Sequence, residues 1–271
     1  MPELPEVETA LRGIAPCITD QTILEVVFRT DKLRQPLDVK LCRILPGQTI
    51  RRVVRRAKYL LLFCTHGTVL LHLGMSGTLR VVPAETTEQK HDHIDLVFGN
   101  GECLRFTDPR KFGTFVYTAT DPYVHRLLRD LGPEPLAEMF SGAYLYRKSR
   151  RKTLAVKPFL MDQKVVVGVG NIYANEALFR AGIRPSRAAG QVGREAYDRL
   201  AAAVRAVLTE AIEAGGTTIS DFRQHDGRPG YFTQQLRVYG RAGEGCVSCG
   251  RNIVAQVLGQ RSTYFCPSCQ R

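Results

Sequence analysis

The chain ends in Cys246-x2-Cys249, sixteen intervening residues, and Cys266-x2-Cys269, and no other feature of the sequence limits its fold so tightly. Each Cys-x2-Cys puts two sulfurs on one tight knuckle, and two knuckles close a tetrahedron around one zinc ion. Four protein ligands leave no position for a water, so the expected cofactor is a single structural Zn²⁺ that performs no chemistry. Between the knuckles, residues 253–257 and 263–265 read as two strands around Gly259-Gln260-Arg261. The metal then staples a β-hairpin with Arg261 near its tip. The other four cysteines, Cys17, Cys42, Cys64 and Cys103, are scattered, unlike a disulfide framework in a small secreted domain. They read as small apolar side chains in a reducing, cytoplasmic setting.

At 271 residues and 44% hydrophobic composition the chain is long enough for two domains with real cores. No apolar run approaches the roughly 20 residues that cross a bilayer, and Glu3, Glu6 and Glu8 stand where a signal peptide has a basic region. A membrane is therefore not an expected partner. The formal charge is +12, and it is uneven: residues 1–133 hold 18 Lys+Arg against 15 Asp+Glu, residues 134–271 hold 20 against 11. Zinc bound to four thiolates removes about two positive charges and leaves the balance clearly basic. A polyanion is the partner such a balance suits. Basic residues cluster at Arg51, Arg52, Arg55, Arg56 and Lys58, and at Arg147, Lys148, Arg150, Arg151 and Lys152, although a charge run alone is more often a solvated face.

The hydrophobic period changes along the chain. After Pro5, Val7, Leu11 and Ile14 recur at helical spacing. Short β-rich runs follow at 23–28, 50–63, 69–73, 94–98, 103–107 and 114–117, separated by turns such as His66-Gly67 and Asn100-Gly101. That pattern predicts a β-sandwich. Beyond Asp121 the period becomes helical, with helices expected at 171–180, entered through Gly168-Val169-Gly170, and at 194–213, stopped by Gly215-Gly216. A helix entered through glycines offers backbone N–H groups to a phosphate. Residues 217–233 lack periodicity, as functional loops often do. Three domains are expected: 1–132, 133–235 and 236–271. His91-Asp92-His93 superficially suggests a metal cluster, but neighbours on a strand point to opposite faces.

A proline directly after the initiator has no structural necessity, but it has a chemical use. With Met1 removed, Pro2 exposes a secondary amine whose pKa near 8 leaves a neutral fraction at pH 7. Such an amine attacks a sugar carbon and forms an iminium. Here the sequence closely resembles the formamidopyrimidine-DNA glycosylases, through Pro2-Glu-Leu-Pro-Glu-Val-Glu8, Arg56-Ala-Lys-Tyr-Leu60, His72-Leu-Gly-Met-Ser-Gly77, Thr107-Asp-Pro-Arg110, Gly168-Val-Gly-Asn-Ile-Tyr173 and the cysteine hairpin. The resemblance spans the whole chain. It implies an α+β multidomain fold: an N-terminal β-sandwich with flanking helices, then a helical domain with a helix-two-turn-helix element and the zinc hairpin. It also implies a monomeric, cytoplasmic, nucleoid-associated repair enzyme acting on double-stranded DNA with oxidised purines.

From that resemblance Pro2 would be the nucleophile at C1′ and Glu3 the acid that protonates the opening sugar. Lys58 would donate a proton in β-elimination and contact a phosphate, and Arg261 would hold the next phosphate and assist δ-elimination. Met75, Arg110 and Phe112 would fill the gap left by an everted base. Lys111 between them is expected to be harmless. His72, Asn171 and Tyr239 would contact phosphates, with His91 and Arg151 as further DNA contacts. Residues 220–230 would cover the everted base, and Lys157 would line its approach. Two other readings compete: an oxidised-pyrimidine enzyme of the endonuclease VIII type, and a noncatalytic zinc protein that binds nucleic acid. The first usually has glycine where Leu4 stands and differs around Met75 and Phe112, and the second leaves Pro2-Glu3 without a use.

Overall fold

The first helix, α1 (Leu4–Ile18), begins where a proline in its first turn costs no hydrogen bond. Leu4, Val7, Ala10, Ile14 and Ile18 form its buried stripe, the 3.6-residue period expected of a helix lying on a core. The protein, a computed structural model, is described over residues 2–217 and 235–271. Its described residues fall into two units: 2–129 with 214–217, and 130–213 with 235–271.

The first unit is a sandwich of two antiparallel four-stranded sheets. One contains β1 (Ile23–Phe28), β5 (Thr78–Pro83), β6 (Asp92–Phe98) and β7 (Glu102–Thr107) in the order β1-β6-β7-β5. The other contains β2 (Ile50–Arg56), β3 (Tyr59–Cys64), β4 (Gly67–His72) and β8 (Thr114–Thr118) in that order. Both sheets and α1 share one hydrophobic cluster that includes Ile14, Ile23, Leu60, Leu71, Leu96 and Phe106. A short helix, α2 (Leu41–Ile44), lies between β1 and β2.

Two departures from the sequence reading have physical causes. The run 50–63 is not one strand but a hairpin, closed by the pair Arg56↔Tyr59. Its two-residue turn is Ala57-Lys58, with Ala57 at φ +56°. Lys58 therefore stands on a turn and not inside a β-run. Strand β5, absent from the expected set, is an edge strand on which only Leu79 is buried. Its burial is too slight to leave a period-two signal, and its terminal Pro83 is tolerated there because an edge needs no further donor.

In the second unit, α3 (Gly142–Ser149), α4 (Val156–Met161), α5 (Asn171–Arg180) and α6 (Arg194–Glu213) are followed by the hairpin of β9 (Val254–Leu258) and β10 (Arg261–Phe265). The bounds of α5 and α6 are those expected. α6 packs on α3 and α5, and β10 packs on α5. Ser141 caps α3 by accepting from the Tyr144 amide at 3.2 Å. Among the described residues no helix is long and apolar enough to cross a membrane. The segment 220–230, expected to cover an everted base, lies outside the described residues, as does nearly all of 217–233.

The basic clusters divide between structure and surface. Arg55 donates to Glu8 Oε2 at 2.9 Å and ties the β2–β3 hairpin to α1. Arg150 lies 3.8 Å over the Tyr146 ring and donates to Val192 O at 2.9 Å. Arg151 is exposed, in a left-handed turn at φ +61°.

Candidate nucleic-acid interface and zinc centre

Pro2 and Glu3 precede α1 and are both buried, Glu3 to 3% exposure. Glu3 is extended and serves as the N-cap residue. The carboxylate of Glu6, itself 2% exposed, fixes this start from one turn on. Its Oε2 accepts from the Glu3 amide at 2.8 Å, and its Oε1 from the Thr217 amide at 2.8 Å. Gly216, at φ +82°, passes so close that a Cβ there would meet Glu6 Oε1 at 3.2 Å. Two backbone donors and the N-terminus of a helix compensate the charge of this buried carboxylate.

Lys58, on the β2–β3 turn, is buried to 7% exposure. The strand register sets Tyr59 opposite His72, with ring centroids 4.8 Å apart. His72 Nδ1 accepts from the Gly74 amide at 2.9 Å, so the neutral ring carries its proton on Nε2 and offers a donor. Burial, then the charges of Lys58 and Arg34, hold its pKa down at about 4. His72 is thus a neutral N–H donor beside a lysine, suited to a phosphate oxygen.

Met75, Arg110 and Phe112 belong to two loops joined through Asp108, which is fully buried. Its Oδ1 accepts from Ser76 Oγ at 3.0 Å and its Oδ2 from the Gly113 amide at 2.7 Å. Gly74, at φ +66°, abuts the other loop so closely that a Cβ would lie 2.5 Å from the Phe112 carbonyl carbon. Phe112 is 44% exposed, an unusual position for a phenylalanine, and the Arg110 guanidinium lies 5.2 Å from its ring centre. Lys111 turns away at φ +54° and donates to Thr30 Oγ1 at 2.9 Å. His91 is half-buried, 6.3 Å from the ring of His93, whose Nε2 bonds Asp108 O at 3.0 Å. With Lys90, Lys111 and Arg29, His91 lines an open cavity of about 540 Å³. Among the described residues these histidines form no metal cluster.

In the second unit, Gly168 at φ +80° and Gly170 lead into α5. Asn171, its first residue, donates from Nδ2 to Ser262 O at 3.1 Å. Asn175 Oδ1 accepts from the Tyr264 amide at 2.8 Å. Glu176, 1% exposed, accepts from the amides of Arg237, Val238 and Tyr239 at 2.9 to 3.0 Å. Tyr239 is thereby fixed, its ring edge-on to Tyr264 at 5.1 Å. Lys157 is fully buried, with Nζ donating to Ser262 O at 2.9 Å and Thr263 Oγ1 at 2.7 Å. These bonds brace the hairpin, while the segment whose approach Lys157 was expected to line lies outside the described residues. Glu6, Asn175 and Glu176 are structural anchors that the sequence motifs do not mark. Their only signal is a polar residue on the buried stripe of a helix.

The four cysteine sulfurs lie within 4.8 Å of one another, with Cys246–Cys269 at 3.9 Å and Cys249–Cys266 at 3.5 Å. Zinc–sulfur bonds of about 2.3 Å give a tetrahedron with edges of about 3.8 Å, so the donor set fits one structural zinc ion. Backbone amides of Ser248 and Cys269 point at Cys246 and Cys266 Sγ, as they do where sulfur is a thiolate. Arg261 opens β10 directly after a Gly259-Gln260 turn whose residues both have positive φ, +58° and +61°, the two-residue hairpin geometry that matches strand twist.

Residues 1–115 match the formamidopyrimidine-DNA glycosylase N-terminal domain, residues 131–223 its H2TH domain, and residues 243–271 the zinc finger found in FPG and IleRS. The formamidopyrimidine-DNA glycosylase of Syntrophotalea carbinolica is 57% identical over the full length of both chains. The crystal structure of the MutM (FPG) protein of Thermus thermophilus superposes with a TM-score of 0.88 at 40% identity, covering 99% of this chain and 98% of that one. The Lactococcus lactis FPG bound to DNA containing Fapy-dG does so at 0.91 and 34% identity, covering 99% and 100%. With whole-length identity well above what a shared fold alone requires, the chain belongs to the formamidopyrimidine-DNA glycosylase family.

Proposed function

We propose that this chain is a base-excision-repair glycosylase that removes oxidised purines, 8-oxoguanine and formamidopyrimidines, from duplex DNA and then cleaves the abasic site. The observation that carries this reading is the buried Pro2-Glu3 pair at the head of α1, held by Glu6. Once Met1 is removed, the Pro2 amine attacks C1′ and the base departs with the glycosidic electron pair. Glu3 protonates the ring oxygen, and the sugar opens to an iminium on Pro2. That iminium acidifies the C2′ proton; its loss expels the 3′ phosphate, and a second elimination expels the 5′ phosphate. Lys58 supplies a proton in the first elimination, and Arg261 assists the second.

The DNA contacts proposed are His72, Asn171 and Tyr239 on phosphates, with His91 and Arg151 farther out. Met75, Arg110 and Phe112 occupy the space of the everted base, which costs a few kcal/mol of stacking and pairing to extrude. The pairing of the two loops by Asp108 supports their acting together. Zinc, when bound, supplies structure only, and Cys246, Cys249, Cys266 and Cys269 hold it. The proposed division of labour is 1–132 for chemistry, 133–235 for helical DNA binding and 236–271 for the finger, in a monomer working in the cytoplasm on the chromosome.

Borohydride trapping on a duplex with 8-oxoguanine opposite cytosine tests the reading, combined with intact-mass measurement of the N-terminus. The expected result is a covalent adduct on the Met1-processed protein. DNA binding without any adduct would leave a noncatalytic zinc protein, and faster release of thymine glycol would move the substrate to oxidised pyrimidines.

A further inference from the structure

β10 is paired with β9 on one edge. Its other edge is met by two asparagines one helical turn apart on α5. Asn171 Nδ2 donates to Ser262 O at 3.1 Å, and Asn175 Oδ1 accepts from Tyr264 N at 2.8 Å. Backbone groups of strand residues i and i+2 face the same way about 6.7 Å apart, while side chains at i and i+4 of a helix stand about 5–6 Å apart. The two spacings match closely enough for the asparagine pair to occupy this edge as a third strand would.

Asn175 is fully buried. Its Nδ2 donates back to Asn171 O at 2.6 Å, so the amide has one orientation and Oδ1 faces the strand. Lys157 adds bonds to Ser262 O and Thr263 Oγ1. The zinc ligands grip only the base of the hairpin. Arg261 stands five residues from Cys266, roughly 17 Å along an extended strand, whereas Tyr264 is nearer to the metal end. A small rotation at that end is therefore magnified at the arginine unless the edge is held.

We propose that Asn175 is a positioning residue for Arg261: by taking the Tyr264 amide it fixes β10 against α5, so that Asn171 and Arg261 meet neighbouring phosphates as one rigid unit. This rests on the reading in which Arg261 contacts a backbone phosphate. Asn175 touches neither DNA nor the reacting atoms and acts through the strand.

A double-mutant cycle tests it, with Asn175→Ala, Arg261→Gln and the double variant. Affinity is measured for a duplex carrying a stable abasic analogue, and the ratio of δ- to β-elimination product on an abasic duplex. Zinc content and far-ultraviolet circular dichroism monitor the fold. Each single change is expected to weaken binding about tenfold and to lower the δ share, with the double variant within about threefold of the weaker single. Additive losses of about a hundredfold, or an Asn175→Ala protein with normal affinity and product ratio, would overturn the proposal. An Arg261→Gln protein that behaves as wild type would remove the Arg261 assignment, and the proposal with it. If Asn175→Ala does not fold, amide exchange in the intact protein decides: a protected Tyr264 amide sustains the clasp, and one exchanging like an open edge rules it out.

Discussion

The sandwich and the zinc hairpin each present residues assigned to the same DNA backbone, but they hold them by different means. His72 and the Met75 loop stand at the ends of strands whose other residues enter one large apolar cluster spanning both sheets and α1. Among the described residues, the cluster under the hairpin has Phe179, Val238, Cys246, Ile253 and Cys266 as its buried members. Two strands cannot bury enough surface to fold alone, so the finger relies on four sulfurs and on polar side chains of α4 and α5. Hydrophobic burial tolerates small losses anywhere, whereas a metal site or a single amide clasp fails at one atom. The sandwich should therefore fail gradually and the finger abruptly.

The largest expected effect is chemical and confined to the sandwich. Glu3→Gln should slow single-turnover release of 8-oxoguanine by about 10²–10⁴-fold, the range for loss of a general acid. Borohydride trapping on a preformed abasic site should persist, because Pro2 is intact. Equal loss on both substrates would mean that the change disturbed the start of α1 rather than one proton transfer.

Next comes the metal. Chelation of zinc, or Cys249→Ser, should weaken duplex binding by about a hundredfold or more while the sandwich keeps its thermal transition in calorimetry. The effect is large because metal binding and folding of such a finger are one process. Collapse of both transitions together would erase the contrast between the regions.

Gly74→Ala sharpens the sandwich side. The left-handed φ and the 2.5 Å approach to the Phe112 backbone should cost about 1–3 kcal/mol of stability, read by denaturant unfolding. The same change should reduce discrimination for cytosine opposite the lesion, since it separates the Met75 loop from Arg110. Stability unchanged would show that the two loops are not held together.

The pH response should also differ between the regions. His72 has a folded pKa of about 4 against an ordinary 6.5, so below pH 6.5 the unfolded chain binds a proton that the folded chain refuses. Its contribution is fully present above about 6.5 and is lost as pH falls toward 4, by about 1–2 kcal/mol after allowance for the partly exposed ring. Urea titrations of zinc-free protein between pH 7 and 4.5 would show it, and His72→Gln should flatten the curve. Smallest is the salt effect of Arg261: Arg261→Gln should reduce the slope of log K against log salt by about 0.9, one phosphate contact, whereas His72→Gln should leave the slope unchanged because the ring is neutral.

What the sequence made legible follows the same divide. Cysteine spacing placed four ligands without any knowledge of packing, and the glycine stops gave α5 and α6 their bounds. The turn at Ala57-Lys58 was hidden because neither residue is a turn former, and the left-handed φ of Ala57 is imposed by the hairpin. The buried polar side chains were least visible. Glu176 meets backbone amides 61 to 63 residues away, and Asn175 meets Tyr264 89 residues away; no periodicity encodes such distances. The chemistry proposed at Pro2 has one signal in the residues themselves, a proline where structure asks for none.

The two oxygens of Glu6 join amides at Glu3 and at Thr217, the latter 211 residues along the chain. On a ribosome adding 5–20 residues per second, roughly 10 to 40 seconds separate the emergence of these partners. The first unit cannot complete its own N-terminus until Thr217 has been made, with 54 of the 271 residues left to follow. For most of synthesis α1 therefore lacks the Thr217 contact, and Glu6 joins the Glu3 and Thr217 amides only when the chain is nearly finished.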